Sequence, residues 1–174
     1  GAALFVTEVV PGSPYRWRIN ARDPDTGLAL PFNSPVTSAI YLTSEVQTLV
    51  VGGNALYFGG GFTAVNGQPR SRLAAVDATT GALLPWAPLI GGQVTALATA
   101  ASAVAVGGGF NVTGGVAKRN LVALDLRTGR PGVAAPDLPF TVSALLQLGG
   151  VVVAGGERPF GQSGPDLTAF SGAT

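Results

Sequence analysis

The sequence contains no cysteine, no histidine and no methionine among its 174 residues. Without cysteine, disulfides and thiolate metal sites are excluded. Without histidine, the chain cannot use the imidazole acid–base pairs and nucleophilic triads on which many enzymes depend. We therefore predict that the protein is not an enzyme, and we expect no cofactor and no metal site.

Charged residues are also scarce, at 11% of the chain, and ten Lys and Arg nearly balance nine Asp and Glu. The net charge of +1 creates no field that would attract nucleic acid or an anionic membrane, so neither is an expected partner. The mean hydropathy of +0.40 is high for a soluble domain. However, proline and glycine interrupt every long apolar run, so no membrane-spanning helix of about 20 residues is predicted.

The sequence does contain a repeat of 48 residues. The pattern Asp-x-x-Thr-Gly begins at Asp77 and again at Asp125. An earlier copy begins at Asp23, which is 54 residues before Asp77, and therefore carries a net insertion of six. The same spacing of 48 separates the glycine-rich runs that begin at Gly59, Gly107 and Gly155.

Each copy offers three short apolar runs separated by turn residues, with a weaker fourth run after Asp-x-x-Thr-Gly. These runs are too short and too often broken by Gly or Pro to be helices, which favours strands. The first run is clearest at Val94–Ala98 and Val142–Leu146. In the earliest copy we align Val36–Tyr41 with it, and we interpret Leu42–Val51 as an insertion that extends the hairpin.

A strand-rich repeat of about 40–50 residues is typical of β-propeller blades. We predict an all-β fold of propeller-type blades, forming a partial propeller of three to four blades in one domain, 1–174. Closed propellers use about four to eight blades, so we expect other protein chains to cover the open blade edges, or the chain to be part of a longer protein. The copies are placed at about 15–70, 71–118 and 119–165, with a truncated copy at 166–174.

The repeated aspartate has two interpretations. A carboxylate that accepts backbone N–H groups two and three residues later, followed by Gly with positive φ, is a common turn, and we favour it. The alternative is a calcium loop with Asp23 and Asp25 as the pair, although the terminal Glu of an EF-hand is missing. The glycine runs lack the Lys of a phosphate-binding loop, which favours close strand packing.

Recurrent arginines provide the candidate partner-binding residues. They either form structural pairs with the turn aspartates, which we favour, or line one rim and bind an anionic partner. Trp86 and Phe32 each follow a proline and are interpreted as packing residues, with a sugar platform as the alternative. The candidate partner-binding set is Arg16, Arg18, Arg70, Arg72, Arg119 and Trp86.

Two segments carry a family resemblance: LYFGGGFTAVNGQPRSRLAAVDATTGALLPWAP (Leu56–Pro88) and VAVGGGFNVTGGVAKRNLVALDLRTG (Val104–Gly129). They resemble bacterial propeller repeats of the delta-60 type, and the likeness extends over about Arg16–Thr174. It weakens where Glu157-Arg158-Pro159 replaces the third Gly and the Phe. The resemblance implies a β-propeller in a secreted or cell-envelope protein without known catalysis. We therefore expect an extracytoplasmic scaffold or protein-binding module, possible association with a membrane assembly, and a lectin-like propeller as the alternative.

Overall fold

The computed structural model describes residues 3–10, 17–30, 40–42, 45–100, 102–132, 135–164 and 166–171. These residues form seventeen strands and no helix, and so include no helix able to cross a membrane. The strands are β1 (Leu4–Val9), β2 (Trp17–Arg22), β3 (Ala29–Leu30), β4 (Ile40–Leu42), β5 (Val46–Gly52), β6 (Ala55–Gly60), β7 (Ala64–Val65), β8 (Gln68–Pro69), β9 (Leu73–Asp77), β10 (Gln93–Ala100), β11 (Ala103–Gly109), β12 (Val112–Thr113), β13 (Val116–Ala117), β14 (Leu121–Asp125), β15 (Thr141–Leu148), β16 (Val151–Glu157) and β17 (Leu167–Ser171).

The strands form four larger antiparallel sheets and one small hairpin, β12-β13. The first sheet has the order β1-β2-β4-β7-β8, with β3 beside β2. The second, third and fourth sheets are β5-β6-β9, β10-β11-β14 and β15-β16-β17. The weak fourth run of each copy is reduced to β3 in the first sheet and to single bridges, Val76 with Leu83 and Leu124 with Pro131, in the next two. Proline has no N–H to extend a ladder, which accounts for the short pairing at Pro131.

The first strand of the second sheet begins at Val46. The prediction that Val36–Tyr41 is the equivalent of Val94–Ala98 in the earliest copy is therefore wrong. Val46 lies opposite Gly60 and Thr48 lies opposite Gly59, with one bulged residue between them. The third and fourth sheets have the same bulge after Val94 and Val142, at intervals of 48. The short similarity of VTSAI to VTALA was misleading, because the bulge register and not the local composition defines the equivalent strand.

The six extra residues of the earliest copy therefore lie between Leu30 and Val46 and do not extend the hairpin. Residues 36–39 lie outside the described part of the chain. Ile40–Leu42 forms β4, which pairs with β2 in the first sheet. Each later sheet takes its first two strands from one predicted copy and its third strand from the next, so the sheets link successive copies.

The sheets pack face to face, in chain order, and bury apolar side chains on both sides of the inner sheets. Three clusters fill the spaces between successive sheets. Between the first and second sheets lie Ile19, Phe58, Phe62 and Val76. Between the second and third lie Tyr57, Leu73, Trp86, Val94, Leu97 and Val106. Between the third and fourth lie Ala96, Leu121, Phe140, Val142 and Ala154.

Close contact between sheets depends on the first glycine of each glycine-rich run. A Cβ on Gly59 would overlap Cγ1 of Val94 and lie 2.9 Å from its Cβ. A Cβ on Gly107 would overlap Cγ1 of Val142 and lie 2.9 Å from its Cβ. Both valines are fully buried. The predicted role of these glycines in close strand packing is confirmed: each valine inserts into the space left by a missing side chain on the preceding sheet.

The second glycine of each run is required by a different steric contact. A Cβ on Gly60, Gly108 or Gly156 would overlap the carbonyl oxygen of residue 45, 93 or 141, which lies across the same sheet beside the bulge. The Gly-Gly pair therefore serves two contacts, one within a sheet and one between sheets. Both contacts are present at Gly59-Gly60 and Gly107-Gly108, whereas at Gly155-Gly156 only the contact within the sheet is present.

The repeated aspartates form the predicted turns. Asp77 Oδ1 accepts hydrogen bonds from the backbone N–H groups of Thr79 and Thr80 at 2.9 and 2.7 Å, and from Thr80 Oγ1 at 3.0 Å. Gly81 follows with a φ of 71°. Asp23 and Asp125 repeat this arrangement. These hydrogen bonds hold the pKa of all three carboxyl groups below the ordinary value, since they stabilise the charged form.

We predict that Gly107→Ala destabilises the protein and that the matched change Gly155→Ala does not. The new methyl at 107 meets buried Val142, and overpacking of this kind costs about 1–3 kcal/mol. At 155 the nearest atoms are Leu167 Cδ1 at 3.5 Å and the Asp166 carbonyl oxygen at 3.8 Å, which is ordinary contact. Urea unfolding of the two variants measures the difference. Equal losses of stability would show that the valine contact does not distinguish the two sites.

A second prediction concerns the turn carboxylates. Because the hydrogen bond from the Thr128 hydroxyl is the main cause of the lowered pKa of Asp125, Thr128→Val should raise that pKa toward its ordinary value and leave the pKa of Asp77 unchanged. NMR titration of the carboxyl carbons measures both. Since the folded pKa values are lowered, the stabilisation by these carboxylates is complete above the unfolded pKa. It is lost as the pH falls through the folded values, so Tm should decrease when the pH is lowered below about 4. A pKa of Asp125 that does not move in the variant would contradict this account.

Candidate functional site

Recurrent cationic residues gather at one end of the stacked sheets, where each third strand begins. We call this the cationic end and define it by Arg70, Arg72, Lys118 and Arg119. Arg70 and Arg72 precede β9, and Lys118 and Arg119 precede β14. The hairpins β7-β8 and β12-β13 lead into these positions. Successive copies thus bring the cationic side chains to the same edge of neighbouring sheets.

The backbone at this end is held in an unusual conformation. Arg72 and Asn120, which are 48 residues apart, have φ values of 62° and 65°. For a side chain such as arginine, the left-handed region costs about 1–2 kcal/mol, whereas asparagine tolerates it better. Backbone hydrogen bonds fix both: the Arg72 N–H donates to the Phe62 carbonyl at 3.0 Å, and the Asn120 N–H donates to the Phe110 carbonyl at 2.9 Å.

The side chains of the cationic end bind backbone carbonyls of the loop that enters the next sheet. Arg70 Nη2 donates to the Leu84 carbonyl at 3.0 Å, and Arg72 Nη1 donates to the Ile90 carbonyl at 3.3 Å. One sheet further along, Lys118 Nζ donates to the Ala135 carbonyl at 2.8 Å. The side chains of Arg70, Arg72 and Lys118 therefore have a structural role, because each one connects one sheet to the chain that leads into the next.

The predicted pairing of the arginines with the turn aspartates is wrong for the described residues. Arg72 and Asp77 stand at opposite ends of β9, and five extended residues separate them by roughly 16 Å. Arg18 instead pairs with Glu8, at 2.6 Å from Nε to Oε1. Arg119 contributes its backbone N–H to Asp137 Oδ1 at 3.0 Å. Arg16 lies outside the described part of the chain.

Two open clefts lie at the cationic end. One has a volume of about 280 Å³ and is lined by Thr63, Arg70, Ser71 and Arg72 among others. The other, of about 540 Å³, is lined by residues that include Asn111, Arg119, Asn120 and Gln162. Arg70 Nε is buried, and the described part of the chain places no hydrogen-bond partner beside it. These clefts offer hydrogen-bond donors to a polar or anionic group, and the binding role of the arginines stays a prediction.

Trp86 does not belong to any exposed surface, so its place in the partner-binding set is corrected. Its side chain is only 4% exposed, and Nε1 donates to the Asp125 carbonyl at 3.0 Å. Its ring meets Tyr57 edge to face, with centroids 4.9 Å apart. The packing interpretation of Trp86 is confirmed, and its ring presents no free face to a sugar. Phe32 lies outside the described residues.

The sequence analysis did not identify Tyr57, whose ring packs against Trp86. Its hydroxyl donates to the Leu126 carbonyl at 3.0 Å, so Tyr57 in β6 and Trp86 in the loop after β9 both bind the backbone at the end of β14. Burial, and then the charge of Asp125, raise the pKa of Tyr57. The repeat gave no signal for it, because the equivalent positions hold Ala105 and Val153.

The calcium interpretation finds no support in the described ranges. Asp23 Oδ1 already accepts three hydrogen bonds from Asp25 and Thr26. Within the part of the chain that the structure describes, no group of three or more acidic side chains is placed to hold a metal ion.

No known family model and no curated protein matches this sequence. Among solved structures, the computationally designed Ika4 protein is 18% identical with a TM-score of 0.54, and the match covers 91% of this chain and 86% of that one. The computationally designed Ika8 protein and BamB from Moraxella catarrhalis are 15% and 13% identical, with TM-scores of 0.41 and 0.38. These two matches cover 91% and 93% of this chain, but only 56% of each of the other two chains.

The likeness to Ika4 is a likeness of fold. Together with the stacked antiparallel sheets, it confirms the predicted fold class, an all-β protein of propeller type. The more specific resemblance to delta-60 repeats stays a prediction.

We predict that Trp86→Phe destabilises the protein by about 0.5–1.5 kcal/mol, since it removes one of the two hydrogen bonds to the Asp125 carbonyl and leaves the one from the Gly129 N–H. Urea unfolding measures the loss, with Phe160→Leu as the control because Phe160 is fully exposed. Full stability in Trp86→Phe, combined with loss of binding on a glycan array, would instead assign the ring to a ligand.

Proposed function

We propose that this protein is a non-enzymatic scaffold whose stacked sheets bind other proteins outside the cytoplasm. The observation that carries the proposal is the outer face of the fourth sheet. Leu146 and Leu167 on this face are 55% and 64% exposed. Their equivalents on the third sheet, Ala98 and Leu121, are buried beneath the fourth. Contiguous exposed apolar residues of this kind mark sites of protein association.

The use of the carboxylates supports a structural role. Of the nine acidic residues, three hold the repeated turns and three others bind arginine side chains or the Arg119 backbone. The extracytoplasmic location rests on the resemblance to propeller repeats of secreted and envelope proteins.

A second candidate function is ligand binding at the cationic end. The cleft of about 540 Å³ lies within the usual size range of small-molecule sites, and its amide and guanidinium groups suit a polar ligand such as a sugar. This cleft replaces Trp86 as the basis for a lectin-like function, because Trp86 is buried.

A single-site cross-linker tests the scaffold proposal. Since the chain has no cysteine, Leu146→Cys introduces one thiol on the outer face of the fourth sheet. Leu28→Cys is the matched control, because Leu28 is an equally exposed apolar residue in the first turn. With an envelope extract of the source cells, Leu146→Cys should give a discrete protein adduct that is absent with Leu28→Cys and absent from a cytosolic extract.

The same proteins applied to a glycan array separate the two candidates. The scaffold proposal predicts no sugar retention that depends on Arg119. Sugar binding that is lost in Arg119→Ala, together with no adduct at position 146, would overturn the scaffold proposal in favour of ligand binding. Equal adducts from both cysteine variants would show that the outer face is not selective.

A further inference from the structure

The outer face of the fourth sheet repeats the faces that the inner sheets bury. Ile19 in β2, Leu73 in β9 and Leu121 in β14 occupy the same position, four residues before the aspartate that begins the repeated turn. Each is fully buried because the next sheet covers it. The fourth sheet has Leu167 at this place, where it is 64% exposed. The side chains are of one kind in all four sheets, and only the covering sheet differs.

The site that receives the valine is also repeated. Val94 fills the space over Gly59, and Val142 fills the space over Gly107. Gly155 occupies the third equivalent place, opposite Leu167 in the ladder. A Cβ built on Gly155 meets only Leu167 and Asp166, both of its own sheet, at 3.5 Å or more. The glycine is retained although nothing within the described chain requires it.

We propose that the outer face of the fourth sheet is a docking face for a further sheet of the same repeat, whose first strand places a valine over Gly155. This inference rests on the proposed function and names its partner class. The partner is a three-stranded antiparallel sheet whose first strand carries valine before a one-residue bulge, as Val94 and Val142 do. The apolar face that it covers consists of Ala144, Leu146, Val151, Val153, Leu167 and Ala169.

A second copy of this chain does not offer such a surface through its first sheet. The outward face there combines Leu4 and Val6 with four polar or charged residues, Glu8, Arg18, Asn20 and Arg22, and Arg18 pairs with Glu8. Arg22 stands where the second and third sheets carry Val76 and Leu124. Covering Leu146 and Leu167 with this surface would desolvate the Arg18–Glu8 ion pair and the Arg22 guanidinium, and only Leu4 and Val6 would offer apolar contact in return. The favoured occupant is therefore a sheet of the repeat type and not the first sheet of another copy.

The test extends the full chain by one sheet. A second copy of residues 125–171 is joined directly after Phe170. In the extended chain, β17 is therefore followed by the same turn and loop that follow β14. Leu146→Cys, in the original sheet, is the only thiol, and its labelling rate is measured with a maleimide. We expect labelling to slow at least about tenfold in the extended chain compared with the original chain. Gly155→Val in the extended chain should restore rapid labelling, since its own side chain fills the valine site.

Hydrogen exchange of the appended strands shows whether they fold. Protected appended strands with rapid labelling at position 146 would overturn the proposal, as would appended strands that stay unprotected, because the face would then fail to support a further sheet. Labelling of the original chain that slows with its own concentration would assign the face to a second copy and would also overturn it. Failure here leaves the protein adduct of Leu146→Cys unaffected, whereas failure of the scaffold proposal abolishes that adduct.

Discussion

The structure depends on one contact, a valine side chain that inserts over a backbone glycine of the preceding sheet. The contact is made by Val94 over Gly59 and by Val142 over Gly107. It is short-ranged and steric, so it fixes the distance and the lateral position of one sheet on the next. Larger apolar residues around it supply most of the burial, but they would tolerate small shifts that the valine does not. The small-residue composition of the chain follows from this close spacing.

Polar contacts between sheets then fix the alignment further. The Leu97 N–H donates to Thr48 Oγ1 at 3.1 Å, and Thr95 Oγ1 donates to the Val142 carbonyl. Both contacts involve the first strand of a sheet, which has a free edge because it pairs on one side only. In each case a backbone group on this edge bonds to a threonine hydroxyl of the preceding sheet, which protects an edge that would otherwise be open to other strands. Tyr57 of the second sheet and Trp86 of the loop that follows that sheet add two further hydrogen bonds to the backbone at the end of β14.

The repeat predicted the fold because its landmarks are physical requirements. Glycines with two steric reasons and aspartates that hold a turn recur at fixed spacing, and both were identified from the sequence alone. The strand at Val46 was misplaced because its bulge register is visible only in the paired sheet. The partners of Arg70 and Arg72 were missed for a similar reason: backbone carbonyls have no sequence signature. Tyr57 and Trp86 occur once, so periodicity could not indicate their contact.

The linkage of each sheet across two copies has a consequence for how such a chain changes over time. Because a third strand always comes from the following copy, a duplicated or deleted stretch of one period leaves every remaining sheet complete, wherever the breakpoints fall. Unequal recombination within the gene would then alter the number of sheets without passing through a form that lacks a strand. The number of sheets can thus change by one in a single recombination event.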